Sequence, residues 1–400
     1  MNPGELGPLL LAFAAALLGG KLLGELCERL GQPAVLGELL AGVLLGPSVL
    51  GLVTLSAGIL LIAEIGVVLL LFEVGLETDL EELLRVGGPA MTVALVGMVL
   101  PFAGGYLLTL LAGFPSLTAL FVGAALTATS IGITSRVLSD LRALSSREGR
   151  IILGAAVADD ILGLVVLAVV SRIADAGSVG VWEAGKAAVL SFAFLVVALL
   201  VGIPLGRLLV RFVGRASVRG ILVAASVAFA LLAAVGAQTA GSAAIVGAFA
   251  AGLVLARTNR RNDIRDAVRP IVDVFAPVFF VSIGAQVDVA RLNPAVAENR
   301  PGLLLALGLV AVGVLGKFLA GYAAWGGVRR GFIGAGMIPR GEVGLIFAQI
   351  GKQNGALPEP VFVAVVIAVF ATTFLAPPLL NLLDRGRRRP VTSSGPPESH

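Results

Sequence analysis

The 400-residue sequence is 58% hydrophobic and only 14% charged, with a net charge of +4. Soluble domains carry about 25% charged residues, so this composition excludes a soluble enzyme or nucleic-acid-binding domain and describes an all-α polytopic membrane protein. The one cysteine, Cys27, rules out an intrachain disulfide, and the one histidine, His400, is the last residue, so cofactor or metal chemistry built on Cys or His is not available.

Taken in chain order, apolar runs and breakers predict about thirteen membrane-spanning segments. They lie near 7–28, 34–52, 58–78, 89–112, 116–138, 150–171, 184–206, 218–237, 240–256, 267–287, 302–325, 331–351 and 360–383. The first has no basic stretch before it and reads as a retained helix rather than a signal peptide. Turn residues such as Gly31-Gln32-Pro33, Gly113-Phe114-Pro115 and Asn293-Pro294 separate the segments. Residues 1–384 form the expected transmembrane domain. Residues 385–400 carry Arg385, Arg387, Arg388 and Arg389 and then a Pro/Ser-rich end, expected as a basic, disordered cytoplasmic tail. Most of the 29 Lys and Arg residues fall in alternate loops, which sets the N-terminus outside and the C-terminus in the cytoplasm.

The chain repeats itself at an offset of about 210 residues. The run from Val35 through Gly37 and Gly42 to Gly46 resembles that from Ile245 through Gly247 and Gly252 to Ala256. Val74-Gly75-Leu76-Glu77 resembles Ile283-Gly284-Ala285-Gln286, and Phe102 to Tyr106 resembles Phe318 to Tyr322. Segments two to four thus echo segments nine to eleven. A shift of seven spans inverts the second copy, giving six helices, a linker helix and six inverted helices, the plan of an inverted-repeat transporter.

The repeat makes segments five and twelve correspond, and both are interrupted. Segment five holds Thr127, Thr129, Ser130 and Gly132; segment twelve holds Pro339, Arg340, Gly341 and Glu342. Paired interruptions at corresponding positions point to a transport site, because unwound backbone offers carbonyl ligands and half-helix ends offer partial charge. The alternative for the hydroxyls is bonding back to their own helix. For Arg340 and Glu342 it is a structural pair at a helix break.

Asp159 and Asp160 stand in the middle of segment six. One charge at the bilayer centre costs about 2.5–3.5 kcal/mol on insertion scales, so two adjacent ones mark a functional site. Neighbours on a helix point about 100° apart. One aspartate therefore faces a cation cavity while the other pairs with a basic group. Lys317, mid-way along segment eleven, is such a group, and unlike arginine it can give up its proton when desolvated. Lys21 is less central and reads as snorkelling. Glu73, near the end of segment three, is a further acidic candidate with an equally good interfacial reading.

These motifs resemble the bacterial monovalent cation:proton antiporters, in the NapA-like branch of the second family. The matching runs are Leu71 to Glu77, Thr127 to Gly132, Gly154 to Asp160, Gly316-Lys317 and Pro339 to Gly344. The resemblance implies two crossed broken helices, a core domain and a dimerisation domain interleaved in sequence, a homodimer and an elevator-like motion. It implies Asp160 as the carrier of cation and proton, with Asp159 paired to Lys317 and Thr127, Thr129 and Ser130 lining the site. It also implies electrogenic Na⁺/H⁺ exchange in a bacterial inner membrane, with Na⁺, Li⁺ or K⁺ and H⁺ as cargo and no cofactor. Glu73 stands where an apolar residue is expected in the sodium-type relatives. The alternatives are a K⁺/H⁺ antiporter, a Kef-type potassium efflux system, and a sodium-coupled organic-anion symporter. For the dimer, the small-residue faces Gly37-x-x-x-Ala41 and Gly42-x-x-x-Gly46 offer close helix approach, and contacts within the repeat could use the same faces.

Overall fold

The computed structural model describes residues 6–78, 87–144, 146–176, 197–198, 200–213, 220–240 and 244–385. These fold into helices α1 (Leu6–Arg29), α2 (Ala34–Leu45), α3 (Ala57–Glu77), α4 (Gly88–Leu111), α5 (Ser116–Ala125), α6 (Ile131–Asp140) and α7 (Arg147–Ala176). Helix α8 covers 200–213. Then follow α9 (Ile221–Thr239), α10 (Ala244–Ala256), α11 (Arg261–Ala285), α12 (Arg300–Ala320), α13 (Arg330–Gly336), α14 (Glu342–Gln353) and α15 (Glu359–Arg385). The turns behave as their residues dictate: Gly31 and Gly113 adopt left-handed φ of 72° and 85° ahead of Pro33 and Pro115.

Among the described residues, eight helices are long and apolar enough to cross a membrane: α1, α3, α4, α7, α9, α11, α12 and α15. The count of thirteen drawn from the sequence differs for physical reasons. Segments five and twelve are each divided by a break, into α5 with α6 and α13 with α14. Helices α2 and α10 are 12 and 13 residues long, short of a full crossing. Segment 184–206 and the tail 386–400 fall largely or wholly outside the described residues.

Packing sorts the helices into two groups. One holds α1, α2, α3, α9, α10 and α11; the other holds α4 to α7 and α12 to α15. The first group is joined by backbone-to-backbone contact. A Cβ on Gly42 would lie 2.1 Å from the Val281 carbonyl oxygen, and one on Gly284 would lie 2.1 Å from that of Leu39. At the echoed positions, a Cβ on Gly252 would lie 2.2 Å from the Phe72 oxygen, and one on Gly75 would lie 2.3 Å from that of Phe249. Gly37 meets Leu23 as Gly247 meets Ala233. Only a residue without a side chain admits this approach, which replaces side-chain interdigitation with dispersion and weak Cα–H···O contacts. The glycine faces of α2 are thus filled by α1 and α11 of the same chain, so they are not the surface of a dimer. The second group packs around Lys317 and Arg340, both fully buried.

Candidate functional site

Helix α5 ends at Ala125, the chain runs non-helically through Thr127–Ser130, and α6 begins at Ile131; α13 likewise ends at Gly336 and α14 begins at Glu342. The two breaks touch. The Ser130 amide donates to the Pro339 carbonyl at 2.9 Å, and the Thr129 hydroxyl lies 3.2 Å from the Met337 carbonyl. Thr134, one turn on, donates to Gly336 at 3.0 Å. Gly341 is required at this meeting, because a Cβ there would sit 2.8 Å from the Ser130 hydroxyl oxygen. Backbone groups freed by the breaks therefore find partners across the junction, as burial in an apolar medium demands.

Asp159 enters this junction from the middle of α7. Its Oδ2 accepts from the Thr129 hydroxyl at 2.8 Å and from the ammonium of Lys317. Both charged side chains are sealed, at 0% and 1% exposure. Gly97 of α4 faces the lysine: a Cβ there would lie 3.5 Å from Nζ, in ordinary van der Waals contact. The pair is neutral as a unit, and its mutual attraction and the Thr129 bond offset a desolvation penalty of several kcal/mol per ion. Asp159 Oδ1 has no partner among the described residues and keeps a buried lone pair available.

Arg340 closes the junction from the other side. Its guanidinium donates to the carbonyl of Leu126 and lies 3.4 Å from those of Ala128 and Gly313. A fixed positive charge thus sits on the negative end of the α5 half-helix. Thr373 of α15 donates to the Arg340 carbonyl and holds the loop. The alternative of a structural pair with Glu342 falls outside the described residues; the described hydrogen bonds of Arg340 go to backbone carbonyls, and Asp159 lies within its electrostatic reach.

The remaining candidates divide. The Thr127 hydroxyl instead donates to the Ala124 carbonyl at the end of α5, at 2.8 Å, so it is not gathered with Asp159. Ser130 is buried at the junction and joins it through its backbone. Asp160 and Glu342 lie on α7 and at the start of α14, and their side chains fall outside the described residues. Lys21, read as snorkelling, lies 3.8 Å from the buried Glu38 while remaining 53% exposed, so it does both. Glu73 is half-buried on α3, within electrostatic reach of Glu77, Arg265, Arg269 and Asp273. Sequence reasoning missed Thr373, whose role depends on long-range packing, and the bond between Gln286 and Gln349 at 2.9 Å, which ties α11 to α14. Among the described residues no group of three His, Cys, Asp or Glu side chains is disposed to hold a metal ion.

Paired charges sealed where two interrupted helices meet, inside a bundle of membrane-crossing helices, are the equipment of a secondary active transporter and not of an enzyme. Known proteins place it more narrowly. The family described as "Sodium/hydrogen exchanger, transmembrane" matches residues 13–383. A high-affinity Na⁺/H⁺ antiporter of Synechocystis is 42% identical, over 97% of this chain and 92% of its own. A Na⁺/H⁺-K⁺ antiporter of Bacillus cereus is 38% identical, over 92% and 94%. A solved structure of a sodium proton antiporter from Methanocaldococcus jannaschii shares the fold, with a TM-score of 0.72 at 18% identity over 95% of this chain and 99% of that one. The chain belongs to the sodium/hydrogen exchanger family.

Proposed function

We infer that this chain exchanges Na⁺ for H⁺ across a bacterial inner membrane. The observation that carries the reading is the sealed Asp159–Lys317 pair at the helix junction, with Asp160 next along the same helix. A carboxylate binds a hard monovalent cation or a proton, and one site cannot hold both. Competition at Asp160 therefore couples uptake of one to release of the other. Thr129 and the free oxygen of Asp159 supply further oxygen ligands. In this reading Lys317 holds Asp159 while the site is empty, and an arriving cation expels a proton from Lys317 as well as from Asp160. Two protons for one Na⁺ make the exchange electrogenic, and each net charge couples to the potential at about 2.3 kcal/mol per 100 mV.

The same reading takes the chain as thirteen spans in inverted repeats with two crossed broken helices. It sets the N-terminus outside, the C-terminus in the cytoplasm and 385–400 as a basic tail. The matched glycine contacts at equivalent offsets support the repeat. The second helix group then acts as the moving core and the first as a platform in a homodimer, dimerising through a surface other than the glycine faces of α2. The name of the Bacillus cereus relative favours K⁺ as a second cargo; neither the Kef-type channel nor the organic-anion symporter gains support from the family. Proton flux in proteoliposomes under clamped voltage, with Na⁺, Li⁺ and K⁺ offered separately, tests the assignment. Flux with Na⁺ and moved charge are expected; silence with Na⁺ refutes it.

A further inference from the structure

The close helix packing lies within each group, and side chains fill the seam between the two. The seam holds a cavity of about 550 Å³. Val67 and Phe279 of the first group and Ile346 of the second line it, and all three belong to one apolar cluster. Apolar contact is non-directional, so such a surface sets no preferred register between the groups. Hydrogen bonds do set one, and three among the described residues cross the seam. Gln286, capping the end of α11, donates to Gln349 of α14 at 2.9 Å. Gln353, the last residue of α14, donates to Glu64 of α3 at 3.2 Å. Arg172, near the end of α7, donates at 2.7 Å to the carbonyl of Ala240, which closes α9. Each bond joins a residue of one group to a residue of the other.

The three bonds gather at one place. Gln349, Gln353 and Glu64 line the cavity themselves. Arg172 follows Ser171, and Ala240 lies two residues past Gln238, and both of those line it too. Helices α7, α9, α11 and α14 thus bring their C-terminal ends here. The bonds are of a kind that can be exchanged. Glu64 and Gln353 are exposed, so water replaces each partner when the bond parts, and the net worth of such a bond is modest. Gln286 is held ready for its partner, because the same amide nitrogen also donates to the Ser282 carbonyl one turn back, at 3.1 Å. A hydrogen bond does not survive stretching to about 3.6 Å. A slide of one group past the other by a single helical turn, about 5 Å, severs all three.

We propose that these three bonds are a latch between platform and core, made in the present arrangement and broken in each transport cycle. The proposal rests on the antiport reading, in which the second group moves against the first. Neither end of any bond lies in the helix junction, so the latch does not touch the chemistry at Asp159 and Asp160. It acts on populations: a contact made in one arrangement and absent from the other biases the equilibrium by its own worth. Breaking it changes how often the junction is presented to each side and leaves the charge moved per ion unaltered.

The test reads the two arrangements directly. In a Cys27→Ala background, spin labels at Leu50→Cys after α2 and Leu111→Cys at the end of α4, both exposed, report the platform-to-core distance in nanodiscs by double electron–electron resonance. Gln286→Leu and Gln349→Leu each move the ratio of the two populations about 2- to 10-fold away from the present arrangement. Combining them adds little, as the two ends of one bond require. Gln353→Leu adds its own shift to either, being a separate bond. Gln353→Arg offers Glu64 a charge-assisted donor and shifts the ratio the other way, a gain that damage to the fold does not produce. Charge moved per sodium ion stays at the parent value throughout. Unchanged populations, fully additive effects of Gln286→Leu and Gln349→Leu, a Gln353→Arg shift in the direction of Gln353→Leu, or altered charge per ion overturns the latch. The expected shifts in a chain without sodium-driven flux defeat the antiport reading alone; flux with populations that ignore every variant defeats the latch alone.

Discussion

The two helix groups solve the same problem, close packing without water, by opposite means. In the first, Gly42, Gly75, Gly252 and Gly284 remove side chains so that backbones touch. In the second, Asp159, Lys317 and Arg340 bury full charges and satisfy them with one another, with Thr129 and with freed carbonyls. The glycine seam has one arrangement, since any shift collides with main chain. The charged junction is held by side-chain bonds that can exchange, and Asp159 Oδ1 has no hydrogen-bond partner among the described residues. Rigidity is placed in one group and exchangeable bonding in the other, which is the division an ion carrier needs.

The sharpest way to break this comparison is Asp160→Asn. The amide preserves shape and abolishes proton and cation carriage, so exchange disappears while the thermal unfolding midpoint in detergent stays close to that of the parent. Robust sodium-driven proton flux in the purified variant would remove Asp160 from the mechanism. Next in size is the buried pair. Lys317→Met leaves Asp159 charged and alone and costs about 3–5 kcal/mol, whereas adding Asp159→Asn recovers most of the loss. Denaturation of both variants measures the recovery, and its absence means the pair does not act as a unit. The gentler Lys317→Gln separates a titrating lysine from a brace. Charge moved per sodium ion on a solid-supported membrane falls sharply if the lysine exchanges its proton, and stays constant if it only positions Asp159.

Smaller effects sharpen the contrast. Thr129→Val removes a hydrogen bond to a charged group and costs about 1.5–3 kcal/mol, read as lower stability together with weaker sodium dependence. Gly284→Ala overpacks the seam and costs about 1–3 kcal/mol. Once folded, that variant exchanges ions with unaltered sodium dependence. Changed ion affinity in the alanine variant would erase the division between the groups.

Much of this was legible in the sequence, and the reasons are specific. Helix breaks announce themselves through Gly341, Pro339 and the Thr127–Ser130 hydroxyls, because those residues are poor helix formers wherever they stand. Asp159 and Lys317 are conspicuous because charge is costly in an apolar run. The destination of each polar group was harder to read. Thr127 and Thr129 are two residues apart with the same hydroxyl, yet one bonds its own helix and the other an aspartate on α7. That choice depends on which way the unwound backbone turns, a tertiary matter. The small-residue faces of α2 illustrate the same limit: their spacing shows that something approaches closely, and only the packing shows that α1 and α11 do.

Helices α2 and α10, at 12 and 13 residues, have a consequence for what surrounds them. They span about 18–20 Å, against a hydrocarbon layer of about 30 Å. Since α10 is buried almost end to end, lipid does not fill the difference. The neighbouring helices α3 and α9 enclose it instead, so its flanks meet protein rather than acyl chain.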